Sequence, residues 1–155
     1  MDTIKLPKPF GKIIQAMYIN EAHSISEAYV DEREHLQLNN GVMGLRSYLG
    51  VDDNQTLCDC YCVITKSNNK KEGVLIEDKN SKHQRNPLDA KRQLEATHQL
   101  LKNKNKEVTF AVMSNLNLIK PLLARMGRFK LKVVTNSVNG REIHLYQSDI
   151  PILYY

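Results

Sequence analysis

Several things are missing from this sequence, and each absence excludes something. Nowhere in its 155 residues does an apolar run approach the roughly 20 residues that span a bilayer, so no transmembrane helix is expected. The opening stretch, Met1-Asp2-Thr3-Ile4-Lys5-Leu6-Pro7-Lys8-Pro9, lacks the unbroken apolar core of a signal peptide. Together these predict a soluble, cytoplasmic protein. Cysteine is scarce: there are three, an odd number, at Cys58, Cys60 and Cys62. That excludes a disulfide framework and suits a reducing compartment. No G-x-x-x-x-G-K-[ST] phosphate loop and no G-x-S-x-G nucleophile elbow occur, so P-loop and α/β-hydrolase chemistry lack their signatures. No repeat, low-complexity tract or linker divides the chain, and its length fits one domain.

What is present is ordinary in amount and uneven in placement. Hydrophobic residues make up 41% and charged residues 25%, as in a typical globular domain. The net charge is +5. From Lys66 to Lys106 there are eleven basic and five acidic residues, whereas Ile13 to Asp59 carries eight acids against two bases. A basic stretch following an acidic one predicts a polyanionic partner, nucleic acid first among them. A lysine-rich solvated surface with no such partner is the plain alternative.

Periodicity predicts the elements. Phe10, Ile13, Ile14, Met17 and Tyr18 recur at helical spacing over about residues 10–22. Ser24 and Glu27 read as a capping box for a second helix reaching about Leu38, with an acidic face of Glu27, Asp31, Glu32 and Glu34. Val42–Val51 suits a short helix or an edge strand. Leu57–Thr65 and Gly73–Lys79 read as the two strands of a hairpin. Asn86, Pro87 and Asp89 are start signals for a helix ending near Asn103. Val108–Ser114 reads as a buried strand and Asn117–Met126 as a helix. Phe129–Thr135 and Arg141–Tyr146 flank the hairpin signal Asn139-Gly140. The expected fold is α/β: one domain with a mixed central sheet and flanking helices.

One constellation carries chemistry. The strand ending Glu77-Asp78-Lys79 places Glu77 and Lys79 on one face by alternation. Charges at the end of a strand whose two faces are both apolar are costly unless paired or bound to a metal. If the hairpin pairs as expected, Asp59 approaches Glu77 across the ladder. Two carboxylates would suit a hard cation such as Mg²⁺. A lysine beside them would orient water or neutralise a phosphorane-like transition state.

Asp59 followed by Glu77-x-Lys79, on a hairpin with a helix next, resembles the PD-(D/E)xK nuclease superfamily over roughly residues 10–115. Cys58 stands where the family signature has proline. The resemblance implies a restriction-endonuclease-like αβββαβ core, with residues 116–155 as a C-terminal βαβ-type extension. It implies a metal-dependent endonuclease hydrolysing phosphodiester bonds in nucleic acid, with DNA the expected substrate and Mg²⁺ or Mn²⁺ the cofactor. Asp59 and Glu77 would be metal ligands and Lys79 the catalytic lysine. An acidic residue of the N-terminal helix often joins the ligands in this family; Glu34 is the first candidate, then Glu27, with His35 as an alternative. Gln93 or Lys91, on the helix after the motif, would face the site. A homodimer or higher homo-oligomer is implied as well.

Lys82 and Arg85 lead into a helix N-terminus, a setting suited to phosphate. Lys91, Arg92, Lys102, Lys104 and Lys106 could extend a backbone-binding track beside the site. The three cysteines alternate along a strand and would face one side. Such a strand cannot wrap an ion, so they read as small buried hydrophobes. Two other functions stay open: a non-catalytic nucleic-acid-binding module of the same fold, and an α/β protein-interaction or regulatory protein.

Overall fold

The computed structural model describes residues 4–19, 21–35, 38–78, 87–114, 131–135, 141–145 and 152–154. Helix α1 (Lys8–Met17) has Pro9 in its first turn, where a missing N–H breaks no helical bond. Its buried residues Phe10, Ile13 and Ile14 recur at helical spacing. Strand β1 (His23–Val30) follows, then the two-residue β2 (Met43–Gly44) and the short α2 (Leu45–Leu49). Strands β3 (Cys60–Lys66) and β4 (Lys71–Asp78) form an antiparallel hairpin in which Cys60 faces Ile76 and Thr65 faces Lys71. Helix α3 (Pro87–Asn103) carries the chain back to β5 (Phe110–Ser114), which lies parallel to β4. Parallel neighbours need such a crossover, and a helix is the usual one.

These elements make one α/β domain with a five-stranded mixed sheet, β2-β1-β3-β4-β5, and three helices. The sheet continues from β5 through β8 (Ile152–Tyr154) and β7 (Arg141–Leu145) to β6 (Leu131–Thr135). Strands β6 and β7 pair antiparallel, with Thr135 opposite Arg141; the Asn139-Gly140 signal between them lies outside the described residues. The helix expected at Asn117–Met126 lies outside the described residues. Among the described residues no helix is long and apolar enough to cross a membrane.

Alternation divides the core into two clusters. On one face Tyr29, Tyr61, Leu75 and Met113 pack with Leu45 and Leu49 of α2 and Leu94 and Leu101 of α3. On the other, Val30, Cys60, Cys62, Ile64, Val74 and Ile76 pack with Phe10, Ile13 and Ile14 of α1. All three cysteines are buried and unoxidised. They do not share a side: Cys60 and Cys62 face α1, while Cys58, ahead of β3, packs in the α2–α3 cluster.

In place of the second helix expected over residues 24–38, residues 24–35 form strand β1 and the turn after it. The cause is a β-bulge. The register with β3 shifts between Ile25 and Glu27, so Ile25 faces Ile64 and Ala28 faces Cys62. Both join the α1-side cluster although three residues apart. An extra residue in a strand advances the alternation by one, and a three-residue apolar spacing is what a helix shows.

Candidate functional site

Hairpin geometry builds the site. Val30, Cys60 and Ile76 are paired across β1, β3 and β4. One place further along stand Asp31, Asp59 and Glu77. The Asp31 N–H donates to the Asp59 carbonyl at 2.9 Å, continuing the β1–β3 ladder. The Asp78 N–H donates to Asp59 Oδ2 at 2.8 Å, closing the β3–β4 end. Alternation turns Asp31 and Glu77 away from α1, to the face covered by α2 and α3, whereas at Asp59, ahead of β3, the alternation breaks, since Cys58 and Cys60 lie on opposite faces. Extending the Cys60–Ile76 pair by one residue sets the Asp59 backbone opposite that of Glu77. Glu77 is 1% exposed and Asp31 4%.

Burial first, then the Glu77 charge and, more weakly, that of Asp59, push the Cys58 thiol far above its ordinary range. One thiol thus senses both carboxylates and stays protonated at neutral pH. Cys58 is no nucleophile here.

Helix α3 is pinned to the segment just before Asp59. Thr97 Oγ1, fully buried, accepts the Cys58 N–H at 2.8 Å and donates to the Gln93 carbonyl at 2.7 Å. Gln93 Nε2 reaches the Leu57 carbonyl at 3.4 Å. Helix α3 thus lies against residues 57–58. Arg92 beside Gln93 is exposed. Lys91 belongs to α3, while Lys79, Lys82 and Arg85 lie outside the described residues.

The expected third ligands are placed differently. Glu34 is exposed in the turn after β1, where its N–H donates to the Asp31 carbonyl. Glu27 lies on β1 four residues before Asp31 and pairs with Lys106 at 2.9 Å. Burial works to raise the Glu27 carboxyl, but hydrogen bonds from Lys106 and from the Tyr29 hydroxyl outweigh it and hold the group below its ordinary range. His35 packs edge-on against Phe10, with ring centres 5.0 Å apart. With Lys5, Asn39 and Asn40 it lines a cavity of about 290 Å³ at the start of α1. None of the three stands on a helix.

The residue sequence reasoning missed is Asp31, whose role depends on β1 being a strand. Its carboxylate is held by Arg46, with Nε to Oδ1 at 2.8 Å and the second guanidinium nitrogen to Oδ2 at 3.1 Å. Arg46 also donates to the Asp52 and Gln55 carbonyls, at 2.7 Å each, tying down the loop that leads to Asp59. Neighbouring Glu32 receives the Arg46 and Ser47 N–H groups at the start of α2. Burial works against its charge, and these bonds outweigh it, so its carboxyl sits below the ordinary range. Among the described residues no group of three or more His, Cys, Asp or Glu side chains converges to hold a metal.

The basic residues divide into two sets. Strand β4 runs from Lys71 toward Asp78, and α3 returns from the carboxylate end to Asn103. Lys102, Lys104 and Lys106 therefore lie at the opposite end of the sheet, about 25 Å away at roughly 3.3 Å per strand residue. There Lys104 Nζ sits 4.9 Å from the centre of the Tyr48 ring, and Lys106 is paired with Glu27. They do not form a track beside the carboxylates. The described residues of the carboxylate end include Asp31, Glu32, Glu34, Asp52, Asp53, Asp59, Glu77 and Asp78, with Arg33, Arg46 and Arg92 among its bases.

No known protein-family model matches the chain, and no curated protein or solved structure is detectably similar to it.

Proposed function

We propose that this protein is a metal-dependent endonuclease of the PD-(D/E)xK type, hydrolysing phosphodiester bonds in DNA. The observation that carries the reading is the hairpin register that sets Asp59 opposite Glu77, two residues before Lys79. Element order supports it. With β2 and α2 taken as an insertion, α1-β1-β3-β4-α3-β5 is an αβββαβ series with the motif on its second and third strands.

The donor set fits a hard cation. Two adjacent carboxylates suit Mg²⁺ or Mn²⁺, which complete their shells with water and substrate phosphate. Asp59 and Glu77 would hold the ion, which would supply Lewis acidity and lower the pKa of bound water. Glu34, exposed at the same end, is the remaining acidic candidate. Water attacks phosphorus in line, the phosphorus–oxygen bond to the leaving strand breaks, and the leaving oxygen takes up a proton. Lys79 orients the water or offsets charge on the phosphorane-like transition state. An acidic end repels a polyanion, so Lys82, Arg85, Lys91 and Arg92 must supply the attraction for phosphate. Gln93 would meet the same strand. A homodimer would present one site to each strand of a duplex.

A second reading has one observation in its favour. Asp59 closes the hairpin through the Asp78 N–H, a structural duty that a non-catalytic DNA-binding module of this fold would also need. A carboxylate has about four lone-pair sites, so that bond is compatible with either role. The test is nicking of supercoiled plasmid with Mg²⁺ or Mn²⁺ against EDTA, with Lys79→Ala in parallel. Metal-dependent nicking lost in the variant, with DNA binding kept, is expected. Nicking unchanged in Lys79→Ala overturns the site assignment. Binding with neither nicking nor a metal-induced rise in Tm favours the non-catalytic module.

A further inference from the structure

The cavity at the start of α1 has no part in the nuclease reading. Its volume, about 290 Å³, falls at the low end of small-molecule pockets. We propose that it binds one small organic phosphate, with the apolar body against Leu6, Pro7 and Val42 and the phosphate on Lys5, His35 and Asn39. Val42 is buried and Leu6 and Pro7 are half-buried, whereas Lys5, Asn39 and Asn40 are exposed. The cavity therefore has an apolar floor and a polar rim, with the half-buried His35 between them. Among the described residues no acid lines it. Asn40 Nδ2 donates to Asn39 Oδ1 at 3.2 Å, so the group Asn39 offers a ligand is its own amide N–H. Lysine meets a phosphate as a point charge. A phosphate monoester has three terminal oxygens to share among the ammonium, the imidazole and the amide, where a carboxylate has two.

The walls are fixed by the fold itself. The Lys5 N–H donates to the Asn40 carbonyl and the Val42 N–H to the Asn39 carbonyl, each at 3.1 Å. The two strips of chain run so close that Gly41, at φ +83°, has no room for a Cβ beside Ile4. The His35 ring is held edge-on against Phe10, which is 1% exposed. Residues 4–7 and 39–42 are thus tied together before any ligand arrives. Binding then orders side chains and not backbone, and a preformed site loses least on binding.

The test titrates the full chain with adenosine 5′-monophosphate, and separately with adenosine and with inorganic phosphate, followed by ¹H–¹⁵N NMR. The monophosphate should shift the amides of Lys5, His35, Asn39 and Asn40 and bind at least tenfold more tightly than either half alone. Lys5→Met, at an exposed position, should weaken binding about tenfold, as loss of a hydrogen bond to a charged group does. Lys70→Met makes the same change of net charge in the turn between β3 and β4, at the other end of the sheet. It should leave the affinity within twofold. No amide shift at these positions in millimolar monophosphate overturns the inference. Equal weakening by the two lysine variants also overturns it, since net charge alone would then account for binding. Adenosine binding as tightly as the monophosphate overturns the assignment of the phosphate to the rim. Inorganic phosphate binding as tightly overturns the part given to the apolar floor. DNA cleavage is measured apart from all of these, so failure here leaves the nuclease reading untouched.

Discussion

Thr97→Val is a sharp probe of how the site is held. Thr97 Oγ1 is the acceptor for the Cys58 N–H, and both residues are fully buried. Valine keeps the β-branched shape and much the same helix propensity, so the change removes a hydroxyl and little else. The Gln93 carbonyl loses the hydroxyl but remains within α3. The Cys58 N–H loses its acceptor where water cannot replace it. An orphaned buried donor costs about 1–3 kcal/mol. In a domain of this size that lowers Tm by about 2–4 °C per kcal/mol. Thr97→Ser restores the hydroxyl and removes one methyl group, a loss near 1 kcal/mol. Urea denaturation should rank Val below Ser in stability, and amide exchange at Cys58 should quicken in Val alone. A Thr97→Val protein within about 0.5 kcal/mol of the parent, the range of an inconsequential surface change, would refute the reasoning.

Two further outcomes follow from the charge layout and from one glycine. Glu27 and Glu32 both sit below the ordinary carboxylate value of 4.5 in the fold. The unfolded chain therefore binds protons more readily, and the stability these groups contribute is present above pH 4.5 and lost as pH falls through their lower folded values. Lys106→Met should flatten that loss in urea titrations. At pH 7 it should cost under about 1 kcal/mol, because the pair is nearly one-third exposed. At Gly44 any Cβ would meet the Glu32 carboxylate. Gly44→Ala should displace Glu32 from the first turn of α2 and cost about 1–2 kcal/mol, as lost caps do. An unchanged Tm would contradict this.

Parts of the fold were legible because local rules decided them. Pro87 opens α3 where its missing N–H is harmless, and the hairpin from β3 to β4 follows from two apolar runs around a polar turn. That hairpin alone sets Asp59 opposite Glu77. What was not legible depended on distant partners. The bulge in β1 copies helical spacing within eight residues, and only pairing with β3 reveals it. The Asp31–Arg46 pair spans fifteen residues and exists because β1 and α2 pack together. The failure of Lys102, Lys104 and Lys106 to line the site comes from the direction of α3, which sequence adjacency to Arg92 conceals.

The most direct measurement is metal-dependent cleavage of a panel of plasmid, linear duplex, single-stranded and junction DNA by the parent and by Asp59→Asn. The account predicts cleavage of at least one substrate with Mn²⁺, none with EDTA, and loss of at least a hundredfold in the variant. Equal cleavage by Asp59→Asn, or no cleavage of any substrate by the folded parent, would contradict it.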